Sequence, residues 1–274
     1  MMNVFGGTGK SSRGSRGLRG LPGKDALEIC NYLPNTISKS LRENEQKASF
    51  VLTSPDDCVI AAKKVKTWKN KRIDPYLNFT AKIPSTLSKI DHSLDQYAID
   101  FPGQYGTGPM SLIYPKTHPF GYFCITFVTT SDDSQTLFAN RLPPKHPFLY
   151  IYHEIAVTGS DISFHGILDK KIVTHHIMHN CKKWTTFFLQ WSATPDVVDF
   201  TYLINNDPDT RGNFHLSQER YSGTTTDHTL GSQVDGTKPF SGQVHAVESY
   251  ESEHPIPDIL RNLVISKQMV KLNM

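Results

Sequence analysis

The sequence predicts an all-β protein, a two-sheet sandwich that follows a short glycine-rich tail. Short runs of β-branched and aromatic residues recur along most of the chain, and Gly, Pro, Asn and Asp stand between them. Helical periodicity is confined to a few short stretches. The chain has 274 residues, of which 38% are hydrophobic and 11% aromatic, and this is enough to bury the core of one large β domain.

Residues 1–25 form a predicted tail in which glycine occupies every third position at Gly14, Gly17, Gly20 and Gly23. A collagen triple helix requires this period, because only a hydrogen atom fits at the crowded axis of three wound chains. The run therefore favours a homotrimer joined at its N-termini. The alternative is a flexible tail without partners.

Residues 26–47 form a predicted short helical neck. Its apolar stripe has alternating steps of three and four, close to a heptad seam, and comprises Leu27, Cys30, Pro34, Ile37 and Leu41. Proline interrupts a helix, so two short helical pieces are expected rather than one. The stripe would either set the register of a trimer or pack on its own domain.

Residues 48–274 are predicted to form the sandwich. Its strands are expected at 48–52, 58–62, 64–68, 111–114, 121–129, 136–140, 148–157, 161–167, 171–177, 185–191, 199–204, 229–231 and 242–250. In one of them, apolar alternation predicts a single core-facing side made of Phe123, Ile125 and Phe127. Residues 87–98 are ambiguous between helix and strand.

A short helix is predicted to close the domain at 256–263. Pro257 suits the first position of a helix, because the amide hydrogen that proline lacks would have no partner there. The expected apolar face consists of Ile259, Leu260 and Leu263.

Charge and composition exclude several classes of partner. The net charge of +3 is too small to indicate nucleic-acid binding, and no apolar run approaches the length of a membrane span. Residues 1–9 lack the apolar core of a secretory leader, so synthesis in a reducing cytosol is expected. The four cysteines show no C-x-x-C spacing and are expected to be free thiols.

An acidic turn follows the strand predicted at 199–204. Asn206, Asp207 and Asp209 place side-chain oxygens close together, an arrangement that can hold Ca²⁺ or another ligand. The alternative is that these side chains cap their own backbone, as turn residues often do. Calcium is the one cofactor that the sequence suggests.

Two further groups bear on catalysis or metal binding. His175, His179 and Cys181 would share one face of a strand, but such positions are too extended to hold one ion without a bend, so an ordinary strand end is favoured over a zinc site. Paired carboxylates are the signature of glycosidases, and three acids lie close together at Glu248, Glu251 and Glu253. Their position at a polar strand end favours a solvated loop, and no enzymatic activity is expected.

The C-terminal half resembles the laminin-G, pentraxin and concanavalin-like jelly-roll group. The resemblance rests on 184–191, which begins with Trp184, on Gly231, and on 239–250, which contains Gly242. It implies that Trp184 fills the core between two sheets and that Gly242 permits a tight entry into the last long strand. Val244, Val247 and Tyr250 are the candidates for the packing face of that strand, and a bulge is expected there to change the alternation of its side chains.

The whole chain resembles the collagen-tailed, laminin-G-like proteins of Maverick/Polinton DNA elements and their adintovirus-like relatives. The order of motifs carries this resemblance: the glycine triplets are followed by 33–34, 42–45, 124–127, 184–188, 202–206, 231–236, 256–260 and 263–269. This chain has Gly231-Ser232 where a glycine pair is expected.

The resemblance implies a trimeric fibre or spike of a virus-like particle, made without a signal peptide and associated with the virion. Its sandwiches would bind a cell-surface glycan or a protein receptor. It supplies no catalytic residue. The alternatives are a host lectin-like binding module with a flexible tail and, third, a glycoside-active enzyme that uses the three carboxylates.

Overall fold

The computed structural model describes residues 54–69, 79–93, 95–102, 106–108, 119–141, 152–168, 171–194, 197–217, 227–233 and 236–272. All of them belong to one compact unit that spans residues 41–274. The predicted collagen-like tail and helical neck lie outside the described residues, as do the strands predicted at 48–52 and 111–114.

The described residues are mostly strands. A 3₁₀ turn at Pro55–Asp57, capped by Ser54, leads into the first of them. The strands are β1 (Cys58–Ala61), β2 (Lys64–Trp68), β3 (Phe79–Lys89), β4 (Tyr97–Pro102), β5 (Gly106–Gly108), β6 (Phe120–Thr129), β7 (Gln135–Arg141), β8 (Tyr152–Val157), β9 (Asp161–Leu168), β10 (Lys171–Met178), β11 (Thr185–Ala193), β12 (Val197–Ile204), β13 (Asp207–Ser217), β14 (Asp227–Leu230) and β15 (Ser241–Ser252). One helix, α1 (Asp258–Gln268), follows.

The strands pair in one antiparallel ribbon that folds back on itself. Its order is β10-β9-β8-β7-β14-β5-β3-β4-β15-β6-β11-β12-β13, with β2 also paired to β3 and β1 to β2. The long β3 bonds to β2 and β5 on one sheet and to β4 on the other, so it joins the two layers. Sheet A runs from β4 to β13 and sheet B from β5 to β10. The predicted all-β sandwich is confirmed.

Aromatic side chains fill the space between the sheets. Phe123 of sheet A packs on Phe138 of sheet B with ring centroids 5.1 Å apart, and Phe164 of sheet B packs on Phe200 of sheet A at 5.3 Å. Each such ring is fully buried. Burial of a side chain of this size contributes roughly 1.5–3 kcal/mol, so the facing rings hold the two sheets together.

Helix α1 covers the outer face of sheet A and creates a second apolar layer. This layer comprises Tyr122, Cys124, Phe188, Leu203, Ile256, Val264 and Ile265. Both faces of β6 are therefore buried, where the sequence predicted one. Within the described ranges, no helix combines the length and the apolar composition that a membrane span requires.

The helix is longer than predicted, and it buries a different face. Its buried residues are Val264, Ile265 and Gln268, whereas Ile259 is 54% exposed. Leu260 contacts the second layer and lies on the same stripe as Val264, four residues later. Ile259 lies one position earlier and therefore turns toward solvent.

The predicted phase change in β15 is confirmed. The register with β6 shifts between Val244 and Ala246. As a result Val244 and Val247 both pack in the core between the sheets, and Tyr250 packs on the second layer under α1. One extra residue in a strand is what a bulge supplies.

Two of the expected structural glycines occupy positions where a side chain would not fit or would be strained. A Cβ at Gly242 would lie 2.1 Å from the carbonyl oxygen of Val128 on β6. Gly231 has a φ of 85°, in the region that favours glycine, and its amide donates to the carbonyl of Leu137 at 2.8 Å.

The expectation that Trp184 fills the core is wrong. Trp184 is half-buried and lies one residue before β11, outside both apolar clusters. Phe187, Leu189 and Trp191 are the residues of this strand that enter the core. Side chains alternate along a strand, so Trp184, which is an odd number of positions from these three residues, lies on the opposite side from them.

Candidate functional site

A cleft opens where the two ends of the ribbon meet. Strand β10 ends sheet B and β13 ends sheet A, and a cavity of about 320 Å³ lies between them. We call it the edge cleft, and it is lined by Phe164, Val173, Thr174, His175, Asn213, Phe214, His215 and Leu216. Its volume falls at the lower end of the range of about 300–1,000 Å³ for small-ligand sites, so it is suited to one small ligand.

The sheets approach closely beside the cleft. Gly166 of β9 pairs with Val173, and a Cβ at Gly166 would lie 2.4 Å from Cδ1 of Leu216 on β13. The missing side chain allows Leu216 to pack directly on the backbone of sheet B. This contact fixes the spacing of the two edges.

Stacked rings form one wall of the edge cleft. The imidazole of His175 stacks on Phe214 with centroids 4.6 Å apart and planes 20° apart, although the two residues belong to different sheets. Phe214 in turn stacks on Phe200, its cross-strand partner, at 5.0 Å and 11°. Tyr202 flanks the stack, with its ring centroid 5.7 Å from that of His175. The three rings of His175, Phe214 and Phe200 therefore form a continuous aromatic stack across the gap between the sheets.

His175 also carries an unused polar atom. Its Nε2 is buried and has no hydrogen-bond partner among the described residues. Burial lowers the pKa of His175 below its ordinary value, and the nearby His176 lowers it further, so the ring is neutral at pH 7. A buried polar group without a partner costs roughly 1–3 kcal/mol.

The described residues at the rim of the cleft are polar and uncharged. Thr174, Asn213 and His215 are exposed at its edge. The hydroxyl of Thr174 lies 2.8 Å from Nδ1 of His165 on the outer face of sheet B. The rim thus offers amide, hydroxyl and imidazole groups, which can both donate and accept hydrogen bonds.

A second polar group lies on the outer face of sheet B next to the cleft. The side chains of Asp161, Ser163 and His176 contact one another: Nδ1 of His176 lies 3.0 Å from Ser163 Oγ and 3.1 Å from Asp161 Oδ2. In a Ser-His-Asp triad the acid and the hydroxyl bond to different ring nitrogens. Here both contact Nδ1, so this group lacks the geometry of an activated serine.

The predicted ligand-binding turn is a tight hairpin between β12 and β13. Asn205 and Asn206 have φ values of 52° and 60°, as in a type I′ turn. Asp207 Oδ1 accepts a hydrogen bond of 3.0 Å from the amide of Asp209. Asn206, Asp207 and Asp209 are exposed at this turn and do not line the edge cleft. Calcium binding by them stays a prediction.

The structure separates the residues considered for zinc. His175 enters the edge cleft, His179 lies beyond the end of β10 with Nε2 3.1 Å from Thr185 Oγ1, and Cys181 is buried in the core. Across the described part of the chain, no three His, Cys, Asp or Glu side chains lie close enough to hold a metal ion.

The three carboxylates considered for catalysis are also dispersed. Glu248 is buried beneath α1, where Tyr122 and Gln268 donate hydrogen bonds to it. Glu253 is exposed after the end of β15, and the side chain of Glu251 lies outside the described residues. Glu248 is therefore part of the packing between helix and sheet.

Four cleft residues of β13 were missed, because no strand was predicted there: Asn213, Phe214, His215 and Leu216. Alternation of polar and apolar residues in 213–216 was the available signal. Pro208 and Gly212, which are typical of turns, obscured it.

Comparison with solved structures supports the fold. No protein-family model matches the chain, and no curated protein matches it. A structure described as a receptor binding domain superposes with a TM-score of 0.51 at 7% identity, over 82% of this chain and 52% of that one. At this identity the likeness concerns the sandwich fold alone.

Two other matches are looser. The Ruminococcus gnavus IT-sialidase CBM40 bound to α2,3-sialyllactose has a TM-score of 0.39 at 16% identity, over 55% of this chain and 83% of that one. The LG1-3 region of the laminin α2 chain has a TM-score of 0.36 at 14% identity, over 56% and 31%.

Proposed function

We propose that this protein is a non-enzymatic binding module that takes a glycan in the edge cleft. The observation that carries the proposal is the pairing of aromatic side chains in the cleft, His175 and Phe214, with uncharged polar residues among the described lining. Sugar rings have an apolar face of C–H groups and an edge of hydroxyls. Aromatic side chains suit the face, and amide, hydroxyl and imidazole groups suit the edge.

A binding role accounts better than catalysis for the polar groups of the described residues. The buried carboxylate of Glu248 is engaged by α1, and the Asp161–Ser163–His176 group lacks the geometry of an activated nucleophile. None of the described residues that line the edge cleft is an Asp or a Glu. Glycoside hydrolysis needs two carboxylic groups across the scissile bond.

We further propose that the sandwich is presented in a trimeric fibre or spike of a virus-like element. The glycine triplets at Gly14, Gly17, Gly20 and Gly23 support the trimer, and the order of motifs along the chain supports the Maverick/Polinton-like origin. Three clefts on one stalk would raise the avidity for a glycan-covered surface well above the affinity of a single site.

The binding proposal is tested with the full chain on a glycan array. Asn213→Ala combined with His215→Ala removes exposed rim groups and is expected to weaken binding at least tenfold. The matched control is Asn262→Ala with His254→Ala, which changes the same residue types at exposed positions outside the cleft. Absence of binding by the parent, or equal binding by both variants, would contradict the proposal.

The trimer proposal is tested by size-exclusion chromatography with light scattering at micromolar concentration. The full chain is expected to be a trimer, and Gly17→Ala with Gly20→Ala is expected to weaken the assembly. A monomeric parent would favour the alternative, a lectin-like module with a flexible tail. Capsid, packaging ATPase and protein-primed polymerase genes beside this gene would support the viral origin.

A further inference from the structure

We infer that the hairpin formed by β1 and β2 is a docking surface for an anionic lipid bilayer. Its apolar tip enters the headgroup region, and its lysines contact the anionic headgroups. We call this surface, residues 58–69, the basic hairpin. The inference goes beyond the proposed function, because none of the residues described as lining the edge cleft belongs to the hairpin.

The base of the basic hairpin is anchored in the core of the sandwich. Cys58 pairs with Trp68 across the two strands, and both are buried. Trp68 also packs near Phe79 of β3, with ring centroids 6.3 Å apart. Val65, three residues before Trp68, is only 2% exposed. The tip is therefore presented to solvent from a fixed base.

The tip carries apolar side chains that the core does not use. Val59 is 43% exposed and Ile60 is 46% exposed, and the following Ala61 and Ala62 are exposed as well. Of the five large hydrophobic side chains that are exposed among the described residues, Val59 and Ile60 are the only two that are neighbours in the chain. Single exposed apolar residues are ordinary, whereas a contiguous group is typical of an interaction site.

Lysines flank these apolar side chains. Lys63 occupies the turn, and Lys64 lies opposite Ala61 in the register of the two strands. Lys66 is exposed on β2. Apolar and cationic groups therefore share the tip. Proteins that bind at a bilayer surface combine these groups, because apolar side chains enter the boundary between headgroups and acyl chains while ammonium groups are attracted to anionic lipids.

The contacts within the fold leave the charges of two further ammonium groups intact. Nζ of Lys64 donates to the hydroxyl of Thr86, and Nζ of Lys69 donates to the carbonyl oxygen of Asp56, each at 2.8 Å. A hydroxyl and a carbonyl carry no net charge, so these bonds hold the side chains without neutralising them. The carboxylates of Asp56 and Asp57 belong to the 3₁₀ turn at the base, next to Lys69 and away from the tip.

Two other roles account for only part of the hairpin. Lysines on an edge strand prevent pairing with other chains, but this role does not explain why Val59 and Ile60 are exposed. A nucleic acid would pair its phosphates with the lysines and would gain little from aliphatic side chains. A bilayer uses both kinds of group.

The inference is tested by flotation of the full chain with lipid vesicles at physiological salt. The parent is expected to bind vesicles made of equal parts of phosphatidylserine and phosphatidylcholine at least tenfold more tightly than vesicles of phosphatidylcholine alone. One lysine near an anionic surface raises the affinity roughly fivefold, so Lys63→Asn with Lys66→Gln should weaken binding at least tenfold. Val59→Thr with Ile60→Thr, which keeps the β-branched shape, should weaken it at least fivefold.

Matched controls make the same kinds of change at exposed positions outside the hairpin. They are Lys183→Gln with Lys271→Gln for the charge, and Met178→Thr with Leu272→Thr for the apolar surface. Both controls should bind as the parent does. Because every altered position is exposed, all four double variants should keep the thermal midpoint of the parent.

Three results would overturn the inference. The first is a parent that does not bind the anionic vesicles, and the second is a control variant that loses as much binding as its hairpin counterpart. The third is binding to a DNA duplex that depends on Lys63 and Lys66 while vesicle binding does not, which would assign the hairpin to nucleic acid. None of these results bears on the edge cleft, since glycan binding is measured separately on the array.

Discussion

Tyr122 donates a hydrogen bond of 2.5 Å to Oε1 of Glu248 in the layer between sheet A and α1. Oε2 of the same carboxylate accepts from Nε2 of Gln268 at 3.0 Å, and Nζ of Lys267 lies 3.8 Å from it. Burial, together with the charge of Glu248, raises the pKa of Tyr122 well above its ordinary value, so the hydroxyl stays protonated and remains a donor. The buried carboxylate thus links α1 to sheet A by accepting hydrogen bonds from both elements.

Removing this donor should destabilise the protein. Tyr122→Phe keeps the ring, which stacks near Phe188, and leaves Oε1 of Glu248 without its hydroxyl partner. Hydrogen bonds to charged groups contribute roughly 1.5–3 kcal/mol, so we expect the free energy of unfolding to fall by about 2 kcal/mol. Urea denaturation followed by circular dichroism measures the change.

A double-mutant cycle with Glu248→Gln provides the control. Because the two side chains share one hydrogen bond, the effects of Tyr122→Phe and Glu248→Gln should be non-additive by about 1 kcal/mol or more. Strict additivity would show that the two groups do not interact in solution.

Local patterns in the sequence were sufficient to predict most strands of the sandwich. β6 and β11 are short runs rich in β-branched and aromatic residues, which favour strands through local propensity. The bulge in β15 could be predicted because Val244 and Val247, three residues apart, cannot both face the core from a regular strand. These features depend only on residues close in the chain.

The edge cleft could not be predicted, because it arises from closure of the ribbon. His175 and Phe214 stack only because β10 and β13 are the two free ends of one folded sheet, and no local pattern specifies which edges meet. The burial of Glu248 could not be predicted for the same reason. The sequence indicates a solvated acid at this position, but the helix that begins ten residues later buries it.

Glu154, a second hydrogen-bonded carboxylate, holds the loop that contains Gln233 against sheet B. Nε2 of Gln233 donates to both oxygens of the fully buried Glu154, which also accepts from the hydroxyl of Thr136. Gln233→Ala should lower the free energy of unfolding by about 2 kcal/mol, because it removes donors from a buried charge. Thr237→Ala, which removes an exposed hydroxyl that donates to Gln233, should cost less than about 1 kcal/mol. Equal effects of the two changes in urea denaturation would contradict this role.

Gly242 should not tolerate a side chain. A Cβ there would lie 2.1 Å from the oxygen of Val128 and 2.7 Å from Cζ of Phe240, so β15 and β6 would have to separate. Overpacking in a core costs about 1–3 kcal/mol, and overlap with the backbone places Gly242→Ala at or above the upper figure. Ser241→Ala, at the neighbouring position of the same strand, is the control and should change the thermal midpoint little. A Gly242→Ala protein as stable as the parent would refute the close approach.

The thiols of the described residues should be unreactive until the protein unfolds. Burial raises the pKa of Cys58 and of Cys181 to about 12, and it raises the pKa of Cys124 well above its ordinary value. Only the thiolate reacts with disulfide reagents, so at pH 8 the folded Cys30→Ser variant should react slowly with Ellman's reagent. The same variant in guanidinium chloride should release three equivalents at once. Rapid labelling of the folded variant would contradict the burial of these thiols.

Acidification should destabilise the fold through its half-buried histidines. Burial lowers the pKa of His165, His175 and His179. In the unfolded chain these groups take up protons near pH 6.5, whereas the folded state resists protonation until the pH is lower. Between these limits the unfolded state binds more protons, so the free energy of unfolding decreases as the pH falls below about 6.5.

The urea midpoint should therefore be lower at pH 5.5 than at pH 7.5. His175→Phe should reduce this difference, because it removes one of the three groups, whereas the exposed His254→Gln should leave it unchanged. A midpoint that rises on acidification would show that these imidazoles are not held neutral by the fold.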